Sequence, residues 1–187
     1  MPVAVLVEGE SDREAVLALA DKRGLQLADR GVEVVAMGGI TNIARYVAEL
    51  APTHRLSGLY DAAEERFVRH GLERAGLAPL PGPHGLAALG FHSCDRDLED
   101  ELIRALGVGA VLAVVEAQGD LAHLRGLQQQ PAQRDRRPED QLHRFLGSGS
   151  GRKIRYGRVL VEALADEEVP APLASVLDDA LRATIRP

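Results

Sequence analysis

Short apolar runs and longer amphipathic stretches alternate through the first half of the chain. Four runs of apolar and β-branched residues predict buried strands, at 3–7, 32–37, 56–60 and 86–93. The stretches that follow them have the apolar spacing of helices, at 11–29, 41–50, 61–76 and 98–106. Because the connections between strand and helix are short, right-handed crossovers are expected. The sequence therefore predicts an α/β fold with a mostly parallel sheet of about four strands flanked by helices.

Polar residues and glycines indicate where these elements begin and end. Ser11-Asp12-Arg13-Glu14 predicts a capping box at the start of the first helix, and residues 80–85 have the proline and glycine content of a loop. Beyond Gly107 the apolar spacing is helical throughout, with breaks at 128–138 and 147–151. We therefore predict an α/β core over residues 1–107 and a C-terminal helical extension over residues 108–187.

Composition narrows the class of protein. The chain has 187 residues, of which 45% are hydrophobic and 27% charged, which suits one folded domain with a modest appendage. The single cysteine, Cys94, excludes an intramolecular disulfide framework. The N-terminus lacks the pattern of a signal peptide, and no apolar run has the ~20 residues that span a bilayer. We expect a cytoplasmic protein with no membrane partner.

Charge is distributed unevenly along the chain. The formal net charge is −6, yet residues 125–158 contain nine Lys or Arg and only three Asp or Glu. An acidic body with a basic segment is suited to hold cations in one place and phosphates in another. The candidates for phosphate contacts are Arg134, Arg136, Arg137, Arg152 and Arg155. A solvated basic loop, bounded by Pro131 and Pro138, is the competing interpretation of the first three.

Acidic residues follow three of the four predicted strands. In chain order they are Glu8 and Asp12, then Asp61, Glu64 and Glu65, and last Asp95, Asp97 and Glu99. Because the carboxyl ends of parallel strands meet at one edge of a sheet, these groups are expected to converge there. Crowded carboxylates repel one another unless cations neutralise them, and hard oxygen ligands suit Mg²⁺ or Mn²⁺.

Helix capping is the simpler explanation of most of these carboxylates. Asp12, Asp61, Asp97 and Glu99 each stand at the predicted start of a helix, where the helix dipole favours negative charge. Glu8 has no such explanation, because it lies between a buried strand and Gly9. Three acidic clusters at three strand ends together favour a metal site.

The motifs that carry these residues resemble a known family. Val5-Leu6-Val7-Glu8-Gly9-Glu10-Ser11-Asp12 resembles the glutamate motif of Toprim domains, in the V-E-G-x-S-D form of the overcoming-lysogenization-defect (OLD) nucleases. Gly38-Gly39 matches the glycine-bearing turn of that family, and residues 59–64 occupy the place of its D-x-D motif. Asp97-Leu98-Glu99-Asp100-Glu101-Leu102 resembles its D-L-E-x-E-L segment. Lys153 stands where those nucleases have a lysine before a helix. The resemblance covers residues 3–107, and the helical extension more loosely.

The resemblance implies a Toprim (Rossmann-like) fold and divalent-metal-dependent hydrolysis of phosphodiester bonds in DNA or another nucleic acid. It implies two ions, Mg²⁺ or Mn²⁺, and a two-metal mechanism, with no nucleotide cofactor. Glu8, Asp12 and Asp61 are expected to hold one ion, and Asp97 with Glu99 to help hold the second. Glu8 is also a candidate general acid or base, and Lys153 is expected to stabilise the phosphoryl transition state.

Two features depart from the family pattern. Ala63 stands where D-x-D has its second aspartate, so Glu64 or Glu65 is the candidate replacement. The chain contains no G-x-x-x-x-G-K-[ST] motif, so we expect a stand-alone Toprim protein, with a separate ATPase protein and a homodimer as open options for partners. Two other functions stay open at this point: a non-catalytic module that binds nucleic acid or a partner protein, and a nucleotidyl transferase.

Overall fold

A computed structural model describes residues 1–77, 82 and 85–185 of the chain. Its four strands form one sheet, and they are β1 (Val3–Val7), β2 (Val32–Ala36), β3 (Arg55–Asp61) and β4 (Phe91–Cys94). The strand order is β2-β1-β3-β4, and every neighbouring pair is parallel. The predicted α/β fold with a four-stranded parallel sheet is confirmed. Most of the predicted loop at 80–85 lies outside the described residues.

Eight α-helices occur in the described part of the chain. They are α1 (Glu10–Lys22), α2 (Ile43–Leu50), α3 (Glu65–Arg74), α4 (Leu98–Ala117), α5 (Leu121–Gln128), α6 (Pro138–Leu146), α7 (Ser150–Ala163) and α8 (Ala171–Ile185). The predicted breaks at 128–138 and 147–151 separate α5 from α6 and α6 from α7. Within the described residues, no helix is long and apolar enough to cross a membrane.

The sheet has a hydrophobic core on each face. Side chains alternate along a strand, so Val3, Val5 and Val7 of β1 face one core while Ala4 and Leu6 face the other. The first core is built with α1 and α4–α8, and the second with α2 and α3. The helices after residue 107 thus share a core with the sheet. The boundary between a core domain and a helical extension stays a prediction.

The strand register brings the acidic positions to one edge. Val7 pairs with Ala36, the last residue of β2, and Asp61 pairs with Cys94, the last residue of β4. All four strands therefore end at the same edge of the sheet. Glu8 is the first residue beyond β1 at that edge.

The limits of two predicted elements were wrong, each because of local backbone chemistry. The first helix begins at Glu10 and ends at Lys22, where a turn through Gly24 (φ 66°) follows it. The fourth strand begins only at Phe91, because residues 87–89 form a 3₁₀ turn that Gly90 ends at φ 83°. Gly107 ends the helical geometry that begins at Leu98, as the sequence predicts: its backbone is non-helical (φ 74°, ψ 157°), and a second helical stretch continues beyond this kink in α4 to Ala117.

Candidate metal centre

The turn after β2 is fastened to the end of β1. The backbone N–H of Gly39 donates to the carbonyl of Glu8 at 3.1 Å, and that of Met37 donates to Val7 at 2.9 Å. Gly38 (φ 71°) and Gly39 (φ 120°) both have left-handed backbones, which glycine adopts without a Cβ penalty. The two predicted loop glycines therefore form one wall of a cleft of about 400 Å³ that Glu8, Asp12 and Lys153 also line.

Three carboxylates meet beside this cleft. One oxygen each of Glu8, Asp61 and Glu64 lies within 4.8 Å of the others, and all three residues are partly buried. Glu64 Oε2 is buried and has no hydrogen-bond partner among the described residues. Because a buried unpaired carboxylate is costly, this group of oxygens has the chemistry to hold a divalent cation. The donor set therefore fits Mg²⁺ or Mn²⁺. We call these three residues the acidic triad.

Glu64, and not Glu65, completes the acidic triad. Asp61 is followed by a 3₁₀ turn over Ala62–Glu64, and side chains three residues apart eclipse one another in such a turn. Glu65 begins α3 and instead accepts a hydrogen bond from Arg69 at 2.7 Å, one helical turn further on. The structure thus brings a carboxylate near the place left by Ala63.

Crowding raises the pKa of two members of the acidic triad. Burial, together with the negative charges of Asp97 and Glu8, raises the pKa of Asp61 to about 7. Burial and the adjoining Glu8 carboxylate raise the pKa of Glu64 to about 6. Both shifts mean that negative charge in the acidic triad is not fully compensated by the protein, which a bound cation would relieve.

Asp12 serves as a helix cap at the same edge. Its Oδ2 accepts the backbone N–H of Gly9 at 2.9 Å, so the capping interaction predicted for Ser11 is made by Asp12 instead. Burial and the nearby Glu99 carboxylate raise the pKa of Asp12 to about 7, against the opposing influence of the Gly9 N–H and of Lys153. Helix capping therefore explains part of the placement of Asp12.

The Asp97 carboxylate forms hydrogen bonds with two protein groups. Its Oδ1 accepts the backbone N–H of Asp100 at 2.8 Å and caps α4, while its Oδ2 lies 2.6 Å from Nε2 of His143 on α6. Burial raises the pKa of Asp97, but these two hydrogen bonds outweigh it and leave the pKa below its ordinary value. Sequence reasoning missed His143, because the two residues are 46 positions apart and the histidines have no ligand-like spacing.

Lys153 forms an ion pair with Glu99. The two side chains lie 3.3 Å apart, and that of Glu99 is only 6% exposed. Lys153 is the fourth residue of α7 and so lies on the helix, not in the glycine-rich loop before it. Burial lowers the pKa of Lys153, but Glu99 and Asp12 raise it, and the net pKa lies above its ordinary value. Lys153 is therefore a cation at neutral pH.

Gly157 sets the position of Lys153. It lies one turn after Lys153 on α7, at a point where a Cβ atom would overlap the backbone oxygen of Ser11 on α1. Only glycine allows this close approach of the two helices. Since residues four apart share a helix face, the contact fixes the face that carries Lys153 against the acidic edge.

Gly157→Ala is expected to push α7 away from α1 and separate Lys153 from Glu99. Overpacking of this kind costs about 1–3 kcal/mol of unfolding free energy. Cleavage activity should fall as well, because the ammonium moves. Chemical denaturation and Mn²⁺-dependent cleavage rates measure the two effects.

Gly151→Ala is the matched control, because a Cβ there meets open space on the same helix. It should leave activity unchanged and raise stability by up to about 1 kcal/mol. In a Lys153→Ala background, Gly157→Ala should slow turnover no further. A further loss of rate in that background would show that Gly157 does not act on cleavage through Lys153.

Stability of the metal-free protein is expected to fall as the pH rises. The pKa values of Asp12 and Asp61 increase from 3.8 to about 7 on folding, so between these values the folded state binds more protons than the unfolded state. Unfolding free energy then decreases with pH over that range. In EDTA, Tm should be higher at about pH 5.5 than at about pH 8, and Asp61→Asn should flatten the difference. An unchanged slope in that variant would argue against the raised pKa of Asp61.

The predicted nucleic-acid contacts fall into two groups. Arg134, Arg136 and Arg137 are exposed between α5 and α6; the first two donate to backbone carbonyls of their own segment, and Arg137 pairs with Asp140 at 3.1 Å. They remain accessible to a phosphate.

Arg152 and Arg155 are committed to internal contacts. Arg155 pairs with Asp120, which also accepts a hydrogen bond from Tyr156 at 3.0 Å. Arg152 lies 4.4 Å from the centre of the Phe145 ring and donates to Ser148. Their contact with nucleic acid stays a prediction.

Comparison with known proteins gives a match to one family model and matches to several solved structures. Residues 2–53, which carry Glu8, Asp12 and the Gly38-Gly39 turn, match the family model described as the overcoming lysogenization defect protein-like TOPRIM domain. The C-terminal region of the Xanthomonas campestris pv. campestris OLD protein has 24% identity and a TM-score of 0.72, over 98% of this chain and 96% of that one. The C-terminal region of the Burkholderia pseudomallei OLD protein has 20% identity and a TM-score of 0.68, over 97% of this chain and 98% of that one. The comparison with curated proteins gave no match.

A parallel sheet with an acidic edge is the arrangement that the resemblance to Toprim domains implies. The resemblance to the OLD-like Toprim domain is confirmed, by the family model over residues 2–53 and by the fold over nearly the whole chain.

Proposed function

We propose that this protein is a divalent-metal-dependent phosphodiesterase that cleaves nucleic acid. The OLD-like Toprim assignment supports a metal-binding domain that acts on nucleic acid. The single observation that carries the catalytic proposal is the acidic triad, in which the oxygens of Glu8, Asp61 and Glu64 lie within 4.8 Å of one another. The buried, unpartnered Glu64 Oε2 supports the same assignment.

The residues of the candidate metal centre have different roles in this proposal. A divalent ion held by the acidic triad would supply Lewis acidity toward a phosphoryl oxygen and toward water. Glu8 is the candidate to accept a proton from the attacking water, because it lies in the cleft that a substrate would enter. The Lys153 ammonium, in the same cleft, stabilises negative charge as it develops on the phosphoryl group.

Asp12 and Asp97 support this arrangement through the backbone. Asp12 fixes the turn at Gly9, directly after Glu8, and Asp97 fixes the start of α4, which carries Glu99. The exposed Arg134, Arg136 and Arg137 are the candidates to contact phosphates along the nucleic acid. The two-metal mechanism stays a prediction.

A non-catalytic module that binds nucleic acid or a separate ATPase protein is the second candidate. Ala63 favours it, because the chain lacks the second aspartate of D-x-D. The position of Glu64 in the acidic triad weighs against it, because Glu64 supplies a third carboxylate beside Glu8 and Asp61.

A cleavage assay separates the two candidates. Purified protein is incubated with supercoiled plasmid, single-stranded DNA and RNA, with Mg²⁺ or Mn²⁺ and with EDTA. The phosphodiesterase proposal expects ion-dependent cleavage of at least one substrate, none in EDTA, and none with identically purified Glu8→Gln. Binding without cleavage under every ion would overturn the proposal and favour the non-catalytic module.

A further inference from the structure

We propose that the Lys153 ammonium occupies the place of a second divalent ion, so that the chain binds one such ion, in the acidic triad. This inference rests on the proposed metal-dependent function and concerns how the positive charge of the centre is supplied. It departs from the two ions expected from the sequence.

The acidic side chains at the sheet edge fall into two groups by their partners. None of the ion pairs in residues 1–77 and 85–185 involves the acidic triad, and one oxygen of Glu64 is buried with no partner there. Asp12, Asp97 and Glu99, by contrast, each have a protein donor within 3.3 Å. Within the described residues, only the first group has no protein donor at such a distance.

Glu99 is already paired with a positive charge, the Lys153 ammonium. Its side chain is almost fully buried, and a buried carboxylate is tolerated only with a partner. Lys153 Nζ supplies that partner at 3.3 Å, from a side chain that is 43% exposed. An ammonium is a compact charge with three donors, so it can neutralise a carboxylate in a place where a metal ion would otherwise bind.

A second divalent ion bound at Glu99 would have to displace the Lys153 ammonium. It would be repelled by the ammonium at short range. Asp97 can keep its hydrogen bonds from His143 and from the backbone N–H of Asp100 while it binds an ion, so the Lys153 ammonium is the group that excludes the second ion.

The backbone that carries Lys153 is held in place by helix packing. Helix α7 is held against α1 by the contact between Gly157 and Ser11, one turn beyond Lys153. The packing of the fold therefore fixes the point from which the Lys153 side chain extends toward Glu99.

Counting bound Mn²⁺ tests the inference without any measurement of activity. Titration calorimetry, with free Mn²⁺ followed by electron paramagnetic resonance at saturation, should give one ion per chain for the wild type. Lys153→Ala should bind two, because Glu99 then lacks its cation. Lys22→Ala is the matched control and should bind one ion. It removes the other lysine of the chain, which is exposed and donates a hydrogen bond to the Glu162 carbonyl.

The outcomes separate the inference from the proposed function. Two ions on the wild type would overturn the inference and leave the proposed function standing. No ion on the wild type would overturn the proposed function itself. One ion on Lys153→Ala would also overturn the inference.

If Lys153→Ala fails to fold, Lys153→Gln keeps the side-chain length without the charge and should likewise gain an ion. Adding Glu99→Gln to either variant should return the count to one, and a count of two would contradict Glu99 as the ligand.

Discussion

Asp61→Asn is expected to weaken Mn²⁺ binding by at least about tenfold and to abolish cleavage when Mn²⁺ is scarce, since even groups outside the coordination shell alter metal affinity by about 10–100-fold. Asparagine keeps the shape of the side chain but removes one of the three negative charges of the acidic triad. Excess Mn²⁺ should therefore restore part of the activity. Calorimetry and initial cleavage rates, measured on the same preparation over a range of Mn²⁺ concentrations, check both expectations.

Asp95→Asn is the matched control for this change. Asp95 directly follows β4 at the same edge of the sheet, but its side chain is 80% exposed and its ion pair with Arg104 is long, at 3.8 Å. Metal affinity and cleavage should match those of the wild type. If Asp61→Asn also binds Mn²⁺ as the wild type does, the acidic triad is not the metal centre.

Lys153→Ala is expected to lower turnover by about 10²–10³-fold, the effect of losing one preorganised electrostatic group. A protonated lysine cannot be a metal ligand, so the loss should fall on the catalytic rate. Affinity for the ion in the acidic triad should stay the same or become slightly tighter, because a nearby positive charge is gone. The rate is best compared with just enough Mn²⁺ to fill that site.

Lys153→Arg separates charge from geometry. The planar guanidinium keeps the charge but not the compact shape of the ammonium, so it should restore turnover only in part. Full activity of Lys153→Ala would show that the ion pair with Glu99 is purely structural.

The sequence predicts the local part of this architecture well. The apolar runs that become β1 and β3 end directly before Glu8 and at Asp61, so their convergence at one edge follows from a parallel sheet. That step needs only the order of strands and helices along the chain. It does not need the packing of side chains.

Features that depend on tertiary packing could not be predicted in the same way. His143 reaches Asp97 across 46 positions, and Gly157 meets Ser11 only because two helices cross there. The choice of Glu64 over Glu65 depends on a 3₁₀ turn, which the sequence did not distinguish from the start of a helix. The partner of Lys153 was likewise set by the docking of α7.

The most direct test of the acidic triad as the metal centre compares the Mn²⁺-dependent cleavage rates of the wild type, Glu64→Gln and Glu65→Gln. The substitutions are identical and adjacent, but only Glu64 belongs to the acidic triad, while Glu65 pairs with Arg69. The wild type and Glu65→Gln should cleave nucleic acid at similar rates, and Glu64→Gln should lose most of its activity at low Mn²⁺. Equal rates for the two variants, or no ion-dependent cleavage by the wild type, would contradict that assignment.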